Sequence, residues 1–193
     1  MNLSRRSFLR TAAASVSVGG VTYFLPPFPK ARGDDTPKPS EQIRIAAIGV
    51  GNQGKGNTKI HAKNVVAVCE VDSKRLADAV KLVEGAGGKT PAAEGDYRRV
   101  LDRKDVDAVV VTVPDHWHAL ITVDACNAGK DVYIEKPLTL FITEGRAIVE
   151  AARRNKRIVQ TGSQQRADER FRRACAEVRS GRLGKLTEAR VGI

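Results

Sequence analysis

The sequence predicts an α/β protein built on a doubly wound parallel sheet. Three observations predict it. Short runs that are apolar on both faces alternate with longer stretches of helical periodicity between Ile43 and Gly162. The runs favour β-branched residues, most plainly "VDAVVVTV" at 106–113. The first run also ends in a glycine cluster that opens a helix, and the carboxyl ends of the strands are where open α/β sheets take ligands.

The elements follow in order. "IRIAAIG" (43–49) reads as a buried strand and "NVVAVCEV" (64–71) as the next. Ser73 is the expected cap of a helix over 74–85, and 85–96 reads as loop. A short helix covers 97–103, and a strand 106–113. A helix runs over 116–129 and stops at Gly129. A strand covers 131–135, a helix capped by Thr143 covers 143–155, and a strand covers 157–162. Beyond Gly162 an amphipathic helix is expected near 167–179, with Phe171, Cys175 and Val178 at helical spacing. A new strand is then expected from 181 onward. The expected organisation is a leader at 1–33, a linker at 34–41, a dinucleotide-type domain at 42–162, and at 163–193 the start of a second α/β domain that is cut short.

The leader rests on "SRRSFLR" (4–10) followed by the uncharged stretch 11–25. Paired arginines before such a run read as a twin-arginine export signal, which implies an exported, periplasmic or cell-envelope protein and the twin-arginine machinery as a partner. The stretch contains Gly19-Gly20 and is followed by Pro26-Pro27, a poor spanning helix.

The net charge of +11 invites a nucleic-acid reading, but its distribution argues against one. Residues 1–33 carry +5, residues 34–152 carry −2 and residues 153–193 carry +8. The folded middle is nearly neutral, and aromatics at 5% are too few for a base-stacking platform. Cys69, Cys126 and Cys175 lie inside apolar patterns with no CxxC pair, so all three read as core residues. His116 and His118 do not share a helical face, and no metal site is expected.

"GVGNQG", Gly49 to Gly54, has the spacing G-x-G-x-x-G after a strand and before a helix. Gly49 permits the tight turn, Gly51 lets backbone amides approach a pyrophosphate, and Gly54 lets helix and sheet pack closely. Asn52 and Gln53 open the helix whose unpaired amides face the phosphates. Glu70, with Asp72 just beyond, stands about 20 residues further on, where a carboxylate accepts hydrogen bonds from an adenosine ribose and repels a 2′-phosphate. The expected cofactor is NAD, with NADP the lesser candidate. "TVPDHWHAL" (112–120) and "YIEKPL" (133–138) fall at the carboxyl ends of two further strands.

With "GVGNQG", "CEVD", "TVPDHWH", "AGKDVYIEKPL" and "SGRLGKL", the chain over about residues 42–193 resembles the Gfo/Idh/MocA family of NAD(P)-dependent sugar oxidoreductases. The resemblance implies that Gly49, Gly51 and Gly54 hold the pyrophosphate, and that Thr112, Pro114 and His118 lie along the cofactor. It implies Glu135 and Lys136 near nicotinamide, with Lys136 as the catalytic residue and Lys136–Pro137 often cis. Gln164 would border the cofactor, and Arg166 and Trp117 the substrate. It further implies a carbohydrate substrate, and a second domain that supplies most substrate contacts and a homo-oligomer interface in the full-length form. Two alternatives stand beside a dehydrogenase: a redox-neutral, NAD-dependent glycoside-cleaving enzyme of the same fold, and a truncated fragment that binds dinucleotide without turnover.

Overall fold

The computed structural model describes residues 42–192 and, before them, two short strands: β1 (Ser15–Val18) and β2 (Val21–Phe24). These two pair antiparallel, with Ser15 opposite Phe24 and Val18 opposite Val21. The Arg5–Arg6 motif and the 34–41 linker lie outside the described residues. Among the described residues no helix is long and apolar enough to cross a membrane.

From residue 42 onward the chain forms a six-stranded sheet with helices on both faces. In chain order the elements are β3 (Ile45–Ile48), α1 (Asn52–Ile60), β4 (Val65–Cys69), α2 (Ser73–Gly85), β5 (Ala92–Glu94) and α3 (Tyr97–Leu101). Then come β6 (Ala108–Val111), α4 (His118–Asn127), β7 (Asp131–Glu135), α5 (Ile142–Asn155), β8 (Val159–Gly162) and α6 (Glu169–Arg179). The spatial order is β5-β4-β3-β6-β7-β8, and every pairing is parallel. The order reverses between β3 and β6, so a crevice opens at the carboxyl ends of those two central strands.

The alternation of side chains along each strand builds two cores. Ala46 and Ile48 of β3 join Ala67 and Cys69 of β4 on one face, with Val109, Val111, Ile121, Cys126 and Ile134. Ala47 and Val68 point the other way and pack with Ala79 and Val83 of α2. Both faces of the central strands are buried, which is why they read as continuous apolar runs.

Several details depart from expectation. The stretch read as loop contains β5, three residues of low β propensity that pair with β4 from Ala67 opposite Ala92 to Cys69 opposite Glu94. The cap of α2 is Asp72, whose carboxylate accepts from the Lys74 and Arg75 backbone amides at 2.9 and 3.0 Å, while Ser73 is already helical. Helix α5 begins before Thr143, because Glu144 reaches back to the amides of Leu140 and Phe141 at 2.9 and 3.0 Å. No strand forms over 181–192: Gly181 and Gly184 turn the chain at positive φ, and Leu183, Leu186 and Val191 are exposed with no ladder beside them. Cys69 and Cys126 are buried as expected, but Cys175 is exposed on α6 together with Phe171 and Val178.

Candidate functional site

The glycine loop between β3 and α1 shows why its residues must be small. Gly49 has φ +80, and a Cβ there would collide with the Thr112 carbonyl of the neighbouring strand end. A Cβ on Gly54 would collide with the Gly49 carbonyl, so the first turn of α1 can close over the loop only without a side chain. Gly51 differs: a Cβ there meets nothing closer than the Arg75 guanidinium at 3.7 Å. Its open side faces a cavity of about 560 Å³.

The start of α1 is prepared for an anion. Helices α2, α3 and α6 are capped by the side chains of Asp72, Asp96 and Asp168. Helix α1 starts at Gly51 with no side-chain cap and no acid in its first turn. Asn52 and Gln53 are exposed there, and the free amides of that turn attract negative charge.

Glu70, at the end of β4, is held by three backbone donors. Its Oε2 accepts from the Val50 amide of the glycine loop at 3.1 Å, and its Oε1 accepts from Val71 at 2.9 Å and Asp72 at 3.3 Å. The carboxylate is thereby fixed at the wall of the cavity, which Gly49, Gly51, Thr112, Pro114 and Trp117 also line. A carboxylate can accept at about four lone-pair positions, so capacity remains for ribose hydroxyls. Asp72 spends its Oδ1 on the two amides of the α2 cap and is not among the residues that line the cavity. The Arg75 backbone amide is the main cause that keeps the Asp72 carboxyl below the usual range.

The far wall is the start of α3. Tyr97 lines the cavity and its hydroxyl donates to Asp124 at 2.8 Å. Burial, then that hydrogen bond, push the phenol up to about 12. Cys69 also lines the cavity, and burial pushes its thiol up to about 12, so it stays an inert wall group.

One strand further along, at the end of β7, the geometry changes. Glu135 is 4% exposed. Asn57 Nδ2 donates to Glu135 Oε1 at 3.0 Å and to Thr112 Oγ1 at 3.2 Å, and the Lys136 amide donates to Glu135 Oε2 at 3.3 Å. Lys136 is exposed, and the Lys136–Pro137 bond is cis. Gln164 and Arg166 stand on a turn after β8, exposed and outside the lining of the cavity. Trp117, 44% exposed, sits at the cavity mouth.

His118 is turned into the protein at the start of α4, outside the lining of the cavity. The side chain is 1% exposed, with Nδ1 2.6 Å from the Pro137 carbonyl oxygen and Nε2 2.9 Å from that of Val113. Both ring nitrogens face backbone carbonyls of the protein itself. Sequence reasoning missed Asn57. The available signal was a polar residue one helical turn after Gly54, on the side of α1 that faces the strand ends. Among the described residues, no cluster of three or more His, Cys, Asp or Glu could hold a metal ion.

A cradle that only glycine can make, an uncapped helix start and a fixed carboxylate at the switch point of the sheet β5-β4-β3-β6-β7-β8 define a dinucleotide-binding Rossmann domain. Comparison with known families agrees: residues 43–163 match the model described as "Oxidoreductase family, NAD-binding Rossmann fold". The chain belongs to this family, Gfo/Idh/MocA, and carries its NAD-binding domain. It is 31% identical over 177 residues to a glycosyl hydrolase family 109 protein of Shewanella pealeana. It is 29% identical over 177 residues to an alpha-N-acetylgalactosaminidase of Shewanella oneidensis. Each match covers 81% of this chain and 38% of the relative, so the chain spans well under half the length of these proteins. The scyllo-inositol dehydrogenase of Lactobacillus casei, solved with NAD(H) and scyllo-inositol, superposes with a TM-score of 0.62 at 26% identity, over 75% of this chain and 43% of that one.

Proposed function

We propose that this chain is the cofactor-binding part of an exported NAD(H)-dependent oxidoreductase that acts on a sugar, polyol or related carbohydrate. The observation that carries the reading is the continuity of the site along the strand ends, from Glu70 and the glycine loop through Thr112 to Glu135 and Lys136. When bound, NAD supplies the hydride acceptor at its nicotinamide. The amides opening α1 hold the pyrophosphate, and Glu70 accepts from the adenosine ribose. Thr112 and Pro114 border the cofactor, and Lys136 takes the substrate hydroxyl proton. Gln164, Arg166 and Trp117 border the nicotinamide and the sugar.

A second reading of the same site has one observation in its favour, the glycosidase names of two relatives. In it a sugar carbon is oxidised, a glycosidic substituent is eliminated and the carbon is reduced again, so no oxidant is consumed. Such a cycle suits an exported protein, for which free NAD is scarce. Product analysis of single turnovers against a panel of sugars and glycosides separates the two. An oxidised sugar with NADH supports the dehydrogenase, and a released aglycone with no net NADH supports the glycoside-cleaving cycle.

In the protein that carries both this chain and the remaining length of its relatives, Lys136→Ala should abolish hydride transfer and leave NADH affinity within about twofold. Full turnover in that variant would remove Lys136 from the mechanism. The 193-residue chain itself should bind NAD weakly and turn over no sugar. Export is tested separately: Arg5→Lys with Arg6→Lys should retain the protein in the cytoplasm on fractionation, and unchanged export would refute the twin-arginine reading.

A further inference from the structure

Lys136 lies between two residues that are each held by a buried or half-buried side chain from another element. On its amino-terminal side, the Glu135 carboxylate is gripped at 3.0 Å by Asn57 of α1, which also holds the Thr112 hydroxyl of the neighbouring strand end. On its carboxyl-terminal side, the Pro137 carbonyl lies 2.6 Å from Nδ1 of His118 at the start of α4. The same imidazole reaches the Val113 carbonyl, just after β6, with Nε2 at 2.9 Å. A neutral ring donates to one of these carbonyls and a protonated ring to both. The tautomer with the proton on Nδ1, or the protonated ring, donates to the Pro137 carbonyl and so ties the segment after β7 to the start of α4 through one buried side chain. Lys136 itself is exposed. Its flanks are fixed while its own side chain is left free to reach outward.

Nothing in the fold of the sheet demands these contacts. The β6–β7 ladder is complete without them, from Ala108 opposite Asp131 to Val111 opposite Ile134. Asn57 also brings a polar group to a buried carboxylate that makes no ion pair among the described residues. An apolar residue at 57 would leave Glu135 with only the longer contact from the Lys136 amide.

We propose that Asn57 and His118 are positioning residues, a two-sided brace that fixes the backbone of Lys136 at the carboxyl end of β7. The proposal rests on the reading of Lys136 as the group that takes the substrate proton, since precise placement matters only for a residue that meets a reacting atom. The brace also links helix α1, whose start faces the cofactor phosphates, to the residue that faces the substrate.

The test is amide hydrogen exchange of the 193-residue chain, read as protection factors over 134–138 (at Ile134, Glu135, Lys136 and Leu138, since Pro137 has no amide hydrogen) beside those of β3 and β4. Asn57→Leu and His118→Leu should each lower protection at 134–138 by about tenfold and leave β3 and β4 unchanged. Asn57→Asp keeps the shape of the side chain but sets a carboxylate against Glu135. The groups that face Glu135 are the Asn57 amide of α1, Gly162 of β8, and the Tyr133 phenol and Lys136 backbone amide of its own segment. Among the described residues no cationic side chain pairs with it.

Two ionised carboxylates at this distance repel each other, and taking up one proton removes the repulsion. At neutral pH the Asp variant should therefore lose protection at 134–138. In mild acid a shared proton restores an O–H···O bond and protection returns, whereas Asn57→Leu does not recover. A general loss of packing would show no such recovery. Unchanged protection at 134–138 in both Leu variants, or a loss spread evenly over β3, β4 and β7, would overturn the brace. If His118→Leu does not fold, His118→Gln retains a donor, and the Asp–Leu contrast at position 57 decides. Lys136→Ala should leave protection at its flanks intact. Turnover that survives Lys136→Ala would thus defeat the functional reading, whereas the brace itself is judged by exchange alone.

Discussion

The two ends of the site are built differently. At the end of β4, Glu70 is fixed by three backbone amides, a cavity of about 560 Å³ is walled by three strand ends and α3, and α1 presents uncapped amides. At the ends of β7 and β8, Glu135 is buried but Lys136, Gln164 and Arg166 are exposed and lie outside the lining of that cavity. The first end is made from one sheet and its own crossovers, so this chain completes it. The second end has a floor and no roof among the described residues. Binding of adenosine is thus a property of the domain, while substrate selection requires surfaces that the sheet does not supply.

The largest expected effect breaks the first end outright. Gly54→Ala drives a methyl into the Gly49 carbonyl, and the loop cannot relax without parting from Thr112. NADH affinity should fall by at least about 100-fold, with a lower Tm. Gly51→Ala has open space, so the Tm should hold while affinity falls by about tenfold, because the methyl occupies the ligand's side of the loop. Fluorescence titration and thermal melts on the two variants separate them. Equal loss of Tm in both would mean that Gly51 is structural and that its open side is not the phosphate face.

A smaller effect sharpens the cofactor choice. Glu70→Gln keeps an acceptor but removes the charge that meets a 2′-phosphate. NADH affinity should fall about tenfold, the scale of a hydrogen bond to a charged group, and NADPH affinity should rise relative to it. A variant that still favours NADH over NADPH as strongly as the parent would take Glu70 away from the ribose.

The asymmetry between the two ends also governs what the sequence reveals. The fold was legible because each strand is buried on both faces and each glycine of the loop answers a steric demand visible as spacing. Strand β5 was not legible, because three residues of "AAE" acquire their strand geometry from β4 rather than from their own propensity. Glu70 was legible from its distance to the glycines. Asn57 and the two-carbonyl contact of His118 were not, because each joins residues far apart in sequence: Asn57 to Glu135 and His118 to Pro137. Spacing reports neighbours along one element, while a brace between α1, α4 and the segment after β7 exists only once the crossovers have brought them together. The spacing of Phe171, Cys175 and Val178 puts them on one face of α6, but periodicity does not state what covers a face, and this one is exposed rather than core.

The smallest expected effect decides whether Asp72 belongs to the site. Its carboxylate caps α2 through the Lys74 and Arg75 amides, and the Arg75 amide is the leading cause that holds its pKa below the ordinary value. A carboxyl whose folded pKa is depressed stabilises the fold fully above its unfolded pKa of about 3.9, and that stabilisation is lost as pH falls through the lower folded value. Asp72→Ala should therefore lower the Tm by about 2–4 °C at neutral pH, and the gap to the parent should close as pH drops below about 4. Asp72→Asn, also a good cap, should lie nearer the parent at neutral pH and show less of the acid dependence. Both variants should keep NADH affinity within about twofold, because the cap faces the backbone of α2 and not the cavity. A tenfold loss of affinity in Asp72→Ala with an unchanged Tm would reverse the assignment. Asp72 would then stand beside Glu70 at the ribose, and the completed end of the site would rest on two carboxylates rather than one.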